Sequence, residues 1–463
     1  MLTCMSRLTI INGRVIDPAN QIDQQTDLLV EGGRVRAIAD QPRPDQDNGD
    51  LVIDASGCIV CPGLIDVHVH FREPGQEEKE TIATGSAAAV AGGFTSVCCM
   101  PNTSPTIDDD SRIEYVYRQA QLADLANVFP IGAVTKQRKG CELAEIGIMA
   151  QSGAVGFSDD GCAVASATLM ARALAYIGMT GKVFMQHCEE SGLGGGEMNA
   201  GVLATRLGLT GTPRVSEELI IQRDILLNRH QHFATRYHVQ HVSSGGSVEL
   251  IRQAKADLFG HDQITAEVTP HHLLLTEQEC ADYNTNFKMN PPLRCTTDIE
   301  AILAGVKDGT ITILATDHAP HTQEEKELEF AAAPYGVVGL ESALPLYIKA
   351  LIDTGTIDWP TMLAMMSTNP AKLCQLENKG TFDIGADADI TIINPQQVWT
   401  IDTNRFAGKS RNCPFHGWKV TGQAITTIVG GKIKLALDKG RIKGNSEYPI
   451  AEYPQQLVET LPV

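Results

Sequence analysis

Two histidines one residue apart, His68 and His70 in DVHVHFREPG, are the first residues whose types and spacing could do chemistry. Side chains alternate along an extended strand, so residues two apart leave the same face, with Cα atoms about 6 to 7 Å apart. Two imidazoles placed this way can converge on one cation at about 2.0 to 2.1 Å, the length of a zinc–nitrogen bond. An H-x-H by itself is weak evidence, because surface strands carry paired histidines by chance. The pattern recurs, however. Further β-forming runs end in GFSDDG (Asp159, Asp160), FMQHCEE (His187), YHVQHVSS (His238, His241) and ILATDHAPH (Asp317, His318, His321). Any one of these could be a hydrogen-bonded core or loop residue, but five strand ends carrying the same ligand types point to a metal. Imidazoles and carboxylates with no required thiolate suit Zn2+, and Mn2+ or Co2+ less well. Cys188 adjoins His187 and so faces the opposite side of its strand, outside the set. The set exceeds what one tetrahedral ion needs, which suggests two ions about 3.5 to 4 Å apart, bridged by a carboxylate and by water.

Such strand ends must be brought to one place. Eight strand candidates lie at 63–70, 93–100, 128–134, 154–158, 182–187, 235–241, 264–268 and 311–316. Ala-, Leu- and Glu-rich stretches of helical length fall between them, at 81–91, 111–122, 165–175, 216–227, 247–256 and 298–303. Eight alternations match a (β/α)8 barrel. A doubly wound sheet fits the alternation almost as well, so the position of the polar residues decides: a barrel gathers its catalytic groups at the C-terminal ends of its strands. Outside this region, LLVEGGRVRAI (28–38) and TTIVGGKIKLA (426–436) read as two similar hairpins around Gly-Gly turns, one near each chain end. They are expected to pair into one small β domain. The expected division is a composite β domain at 1–60 and 380–440, a catalytic barrel at 61–379 and a surface tail at 441–463.

Composition bounds the rest. The chain has 463 residues, 43% hydrophobic and 20% charged, which is ordinary globular composition. A net charge of −19 argues against a nucleic-acid partner. The N-terminus lacks the apolar run of a signal peptide, and no stretch of 18 apolar residues suggests a membrane span, so the cytoplasm is the expected compartment. The 12 cysteines are scattered, as free thiols would be. The single C-x-x-C, Cys58 to Cys61, has no partner motif and reads as a pair of small buried residues.

Taken together, DVHVHFREPG, MPNTSPT, FSDDG, HCEE, the TGTP and SEE run, TPHHLLL, FKMNPPLR, ATDHAPH, PYGVVGLE and KSRNCPFHGWKVTG resemble the class I bacterial dihydroorotases in sequence and in order. The resemblance covers nearly the whole chain to about residue 440. It implies the amidohydrolase superfamily, with a metal-bearing (β/α)8 barrel and a β domain built from both chain ends. It further implies that His68, His70 and Asp317 bind one zinc, that His187 and His241 hold a second, and that Asp160 bridges them. Asp160 would then replace the carboxylated lysine of hydantoinases and other dihydroorotases; Asp159 reads as a structural acid.

The implied reaction is the reversible closure of N-carbamoyl-L-aspartate to L-dihydroorotate. Zinc would activate water and polarise the ring amide, and Asp317 would carry the proton. The substrate carboxylate calls for a planar cation, and Arg72 lies on the same alternation as His70. By resemblance Asn102 and His321 complete that carboxylate site, while Asn290 and the backbone of Tyr335 and Gly336 contact the ring; His70 also faces the substrate. Tyr335 stands where the family often has Phe. A plain alternative for Arg72 is a salt bridge to Glu73 or Glu77. TQEEKELEF (322–330) is read either as a mobile lid or as a solvated loop. Two rival readings are a hydantoinase, which would want the bridging lysine, and an inactive scaffold docked on aspartate transcarbamoylase, which would not need all six ligands. The expected partners are the small substrate and further copies of the chain, with neither nucleic acid nor membrane; association with aspartate transcarbamoylase while active stays open.

Overall fold

The computed structural model describes residues 7–39, 50–231, 235–256, 263–444, 449–459 and 461. Near the N-terminus, short apolar runs form β1 (Arg7–Asp17), β2 (Ile22–Glu31), β3 (Arg34–Ile38), β4 (Leu51–Asp54) and β5 (Ile59–Pro62). β2 and β3 are joined at Gly32 and Gly33, with φ of 60° and 74°. This left-handed backbone is the one a tight hairpin demands and glycine supplies without steric cost.

The chain then changes texture, because its strands become buried on both faces. They are β6 (Leu64–Val69), β7 (Phe94–Cys99), β8 (Asn127–Gly132), β9 (Gly156–Phe157) and β10 (Val183–Gln186). After a small two-stranded ladder of β11 (Met198–Asn199) and β12 (Gly211–Thr212) come β13 (Arg236–Val239), β14 (Ile264–Val268) and β15 (Ile313–Leu314). All residues of β6, β7 and β10 are buried, as expected for parallel strands covered on both sides. The eight strands pair in chain order and in parallel, and a bridge between Val69 and His318 closes the ring. The His318 carbonyl accepts from the His70 N–H at 2.8 Å across this seam. The barrel, rather than a doubly wound sheet, is therefore the fold.

Helices at Ile82–Gly92, Asp110–Ala123, Ala167–Thr180, Val215–Arg229, Gly245–Ala256 and Thr296–Lys307 fill the expected gaps. The first shows why its ends fall where they do. Thr81 caps the N–H of Thr84 in a reciprocal box, and Gly93 at φ 90° ends the helix and turns the chain into β7. The strands β9 and β15 are shorter than the runs that announce them, because the chain leaves the ladder early to present the polar residues that follow.

The C-terminal part returns to the first sheet through β16 (Ile390–Thr400), β17 (Lys419–Val429) and β18 (Lys432–Ala436). β16 pairs with β5, giving the order β18-β17-β16-β5-β1-β2-β3, with β4 sharing the β5 flank of β1, opposite β2. The two Gly-Gly turns meet: a Cβ on Gly33 would stand 2.7 Å from the carbonyl oxygen of Gly430. Cys58 and Cys61 are buried in this part of the molecule, with no converging partners for a metal among the described residues.

The end of the chain corrects an expectation. Rather than a surface tail, β19 (Ile442–Lys443) pairs with β4, and Ala451 exchanges backbone hydrogen bonds with the β18 edge, at 2.8 Å to Ala436 and 3.2 Å to Lys434. Leu457 packs its side chain into the barrel's helical layer. Those apolar residues were too few and too widely spaced to show a periodicity.

Candidate active site

The strand ends bring the predicted ligands together. The His68 and His70 rings converge to 5.3 Å between centroids, and His68 and His241 to 5.2 Å. Asp160 sits among all of them. Its Oδ1 lies 3.3 Å from His68 Nε2, 3.8 Å from His187 Nδ1 and 3.7 Å from His241 Nε2, while Oδ2 lies 3.4 Å from His70 Nε2. Asp317 closes the near side, with Oδ1 at 2.9 Å from His70 Nε2 and 3.4 Å from His68 Nε2. One carboxylate thus faces two histidine pairs. Among the described residues, both triads whose ligand atoms lie within 4.8 Å of one another, His68–His70–Asp317 and His68–Asp160–His241, fall in this cluster.

The donor set fits a divalent cation by a direct structural criterion. His68 Nε2 and Asp160 Oδ1 are buried and have no hydrogen-bond partner, although buried polar atoms are almost always paired. His187 Nδ1 and His241 Nε2 meet at 2.9 Å, two ring nitrogens aimed at one place. Burial pushes the Asp317 carboxyl up, but His68 and His70 outweigh it and hold it well below the usual carboxylate range. The backbone is bent to aim these groups: Arg72, His241 and Asp317 have φ of 61°, 31° and 50°. Each such conformation costs about 1 kcal/mol or more in a non-glycine residue, and it persists because the surrounding structure enforces it.

A second layer fixes the rings. His68 Nδ1 lies 2.6 Å from Glu267 Oε1, His70 Nδ1 2.8 Å from Asn102 Oδ1 and His187 Nε2 3.0 Å from Glu189 Oε2. Each acceptor places the ring proton on the outer nitrogen and leaves the inner one free to ligate. Glu267 also takes His238 Nε2 at 2.9 Å, which removes His238 from the centre. Burial raises the Glu267 carboxyl, yet the His68 charge and the two imidazole contacts bring it down to about 2. Glu267 and Glu189 were not singled out in the sequence. Glu267 sits inside an apolar strand and Glu189 in an acidic pair, and neither spacing advertises a role. His318 closes the barrel seam rather than joining the ligands, and its Nδ1 accepts from the Gly339 N–H at 3.2 Å. Asp159 is a structural acid: its carboxylate takes the N–H groups of Val134 and Thr135 at 2.9 and 3.0 Å.

A cavity of 570 Å³ opens over the cluster. It is lined by His70, Arg72, Asn102, Asn290, His321, Tyr335 and Gly336, so each residue expected to contact substrate faces it. A larger groove of 760 Å³ lies elsewhere, between the barrel's outer layer and the 397–424 segment, and holds no ligand cluster among the described residues. Arg72 is buried and donates its Nε to the Pro320 carbonyl at 3.1 Å. It has no carboxylate within ion-pairing distance among the described residues; Glu73 caps Ile82 and takes the Tyr115 hydroxyl, and Glu77 takes the Gly75 N–H. The salt-bridge alternative for Arg72 is therefore absent. Burial and the Arg72 charge lower His321 to about 3, so its ring is neutral. Its Nε2 lies 2.8 Å from the Tyr335 carbonyl oxygen and 3.4 Å from Arg72 Nη2, and its Nδ1 lies 3.2 Å from Glu325 Oε2.

Two details differ from the simplest expectation. Asn290 donates to Glu189, and the Gly336 N–H is already engaged by the Lys288 carbonyl at 3.0 Å. The segment after Asp317 is partly held and partly exposed, with Gln323, Glu324 and residues 327–329 facing solvent. Gln323–Lys326 forms a capped helical turn, Glu325 pairs with Lys79 at 2.8 Å, and the buried Lys326 ammonium donates to the Pro334 and Gly336 carbonyls at 2.9 and 3.2 Å.

Comparison with known proteins agrees on the family. A family model described as dihydro-orotase-like matches residues 57–247, and one described as an amidohydrolase family matches 249–434. The chain is 45% identical over 433 residues to a dihydroorotase of Syntrophotalea carbinolica, covering 93% of this chain and 99% of that protein. It is 48% identical over 429 residues to a dihydroorotase of Pelotomaculum thermopropionicum, with 92% and 98% covered. Among solved structures, the L-hydantoinase (dihydropyrimidinase) of Arthrobacter aurescens is similar with a TM-score of 0.82 and 26% identity, covering 97% of this chain and 98% of that one.

Proposed function

The chain belongs to the dihydroorotase family of cyclic amidohydrolases, and on that premise we propose that it interconverts N-carbamoyl-L-aspartate and (S)-dihydroorotate, the third step of de novo pyrimidine (UMP) synthesis. The residues would hold two zinc ions, His68, His70 and Asp317 on one side, His187 and His241 on the other and Asp160 between, and the metal would supply an activated water and polarise the ring amide. Asp317 takes the proton of the attacking water and returns it to the departing ring nitrogen. This double role suits a carboxylate set 2.9 Å from His70 Nε2 and held ionised. Arg72 binds the substrate carboxylate with Asn102 and His321 beside it, while Asn290, Tyr335 and Gly336 bound the ring.

Arg72 is the observation that carries this reading. A buried guanidinium with spare donors and no acidic partner, on the rim of the ligand cluster, calls for an anionic substrate. A hydantoin or dihydrouracil ring brings no such carboxylate. Asp160, rather than a lysine, at the bridging position favours the same side.

The test is turnover by the purified, zinc-loaded chain. Dihydroorotate opens and N-carbamoyl-L-aspartate closes, and Asp317→Asn loses about 10³-fold or more in kcat. Turnover of dihydrouracil or hydantoin without dihydroorotate would overturn the assignment in favour of the hydantoinase reading suggested by the fold neighbours.

A further inference from the structure

The KSRNCPF segment (409–415) stands out in the sequence, yet none of its residues is a ligand or faces the cavity. It belongs to the C-terminal part of the chain and crosses the top of the barrel as a strap. The two residues before it and its first residue are gripped by acids of the barrel: Glu341 accepts the N–H groups of Ala407 and Gly408 at 3.0 and 3.1 Å, and Glu80 that of Lys409 at 3.3 Å. Ser410 donates to the Lys79 carbonyl at 2.9 Å. So anchored, the strap delivers Asn412, 4% exposed, between two irregular segments of the cavity wall.

There the Asn412 side chain meets both segments at once. Nδ2 donates to the Ala319 carbonyl at 3.0 Å and to the Gly336 carbonyl at 3.1 Å, and Oδ1 accepts from the His321 N–H at 3.3 Å. Its own carbonyl accepts from the Val338 N–H at 3.0 Å. Two amide donors and an acceptor are thereby all used. Segment 319–321 carries His321 and the Pro320 carbonyl that Arg72 Nε grips; segment 335–338 carries Tyr335 and Gly336. Both are loops, otherwise joined by an isolated bridge between His318 and Val337 and by His321 Nε2 against the Tyr335 carbonyl at 2.8 Å. We propose that Asn412 is a positioning residue that staples these two segments together and so sets the width and orientation of the carboxylate-binding side of the cavity. The inference rests on the dihydroorotase reading for its substrate, although its geometry does not. Of the metal-type ligands only Asp317 shares a strand end with these segments, and its neighbours are held independently of Asn412, the Thr316 N–H by Asp66 at 3.1 Å and the His318 carbonyl by the His70 N–H at 2.8 Å, so loss of the staple acts on substrate binding and leaves the chemical step in place.

The experiment compares wild type, Asn412→Ala and the isosteric Asn412→Asp, each zinc-loaded. Asn412→Asp keeps the volume and the acceptor for His321 but loses both donors and sets an oxygen against two carbonyls. Both variants should raise the KM for dihydroorotate about tenfold or more, change kcat by less than about threefold and keep the zinc content of the wild type. Hydrogen exchange on the substrate-free chain should quicken at 319–322 and 335–338 and stay unchanged at the peptides of His68, His70, Asp160, His187 and His241. Wild-type KM and exchange in Asn412→Asp would overturn the staple and leave only a packing role. Zinc loss with a parallel fall in kcat, or failure of both variants to fold, would likewise overturn it. If the wild type ignores dihydroorotate but exchange responds as stated, the substrate reading fails and the staple stands.

Discussion

Glu267 shows how much of this site is decided one residue at a time. A lone carboxylate fully buried in a barrel strand is costly, and it is tolerated because His68 and His238 sit on its two oxygens at 2.6 and 2.9 Å. It makes His68 present Nε2 to the centre and strengthens that nitrogen as a donor. Glu267→Gln keeps the shape and removes the charge, and should weaken zinc affinity about 10- to 100-fold, read by competition against a chromogenic chelator. Unchanged affinity would show that His68 is oriented by packing alone. The ligand types themselves were legible in the sequence, because histidines and acids at successive strand ends are a one-dimensional pattern. Glu267 and Asn412 were not, because each acts on a partner distant in the chain: Glu267 is 199 residues from His68, and Asn412 is 91 from His321. Glu189 was not either, because although it holds His187 only two residues away, one acid of an acidic pair carries no mark of that contact or of Asn290, 101 residues on.

Elements meet the site through close backbone approach. The loop carrying Arg72 and the loop carrying Asn102 touch at Gly75, where φ is 94° and a Cβ would lie 1.7 Å from the Ser104 carbonyl oxygen. The Ser104 N–H in turn donates to the Pro74 carbonyl at 3.0 Å. Gly75→Ala must force the loops apart, separating Arg72 from Asn102. The expected result is a KM for dihydroorotate raised about tenfold or more and a lower Tm, followed by steady-state kinetics and thermal unfolding. A variant with wild-type KM would mean that the two residues do not share one ligand. The same scale explains why the 322–330 segment resisted a sequence reading. Its charges look solvated in a row, yet Lys326 is buried by carbonyls that only the returning 334–336 chain supplies.

At the scale of the whole molecule, the two chain ends make one sheet, and the last residues seal it. Removing 441–463 deletes the β19 strand, the Ala451 bonds to the β18 edge and the buried Leu457 side chain. Burial of a leucine side chain alone is worth about 1.5 to 3 kcal/mol, so the truncated chain should melt several °C lower while the kcat of the remaining folded enzyme is retained. An unchanged Tm would return these residues to the status of a tail. The net charge of −19 belongs to this scale too, since it describes the surface and says little of a cavity lined by Arg72. The sequence by itself determined the alternation of strands and helices, the strand-end ligands and the family, because these are written in local periodicity and residue type. Only the tertiary structure decided that the barrel closes through Val69 and His318, which histidines face the centre and which are held by Glu267, and that a strap from the C-terminal part holds the cavity wall. Those facts depend on contacts between residues far apart in the chain, and spacing along a sequence carries no measure of such distances.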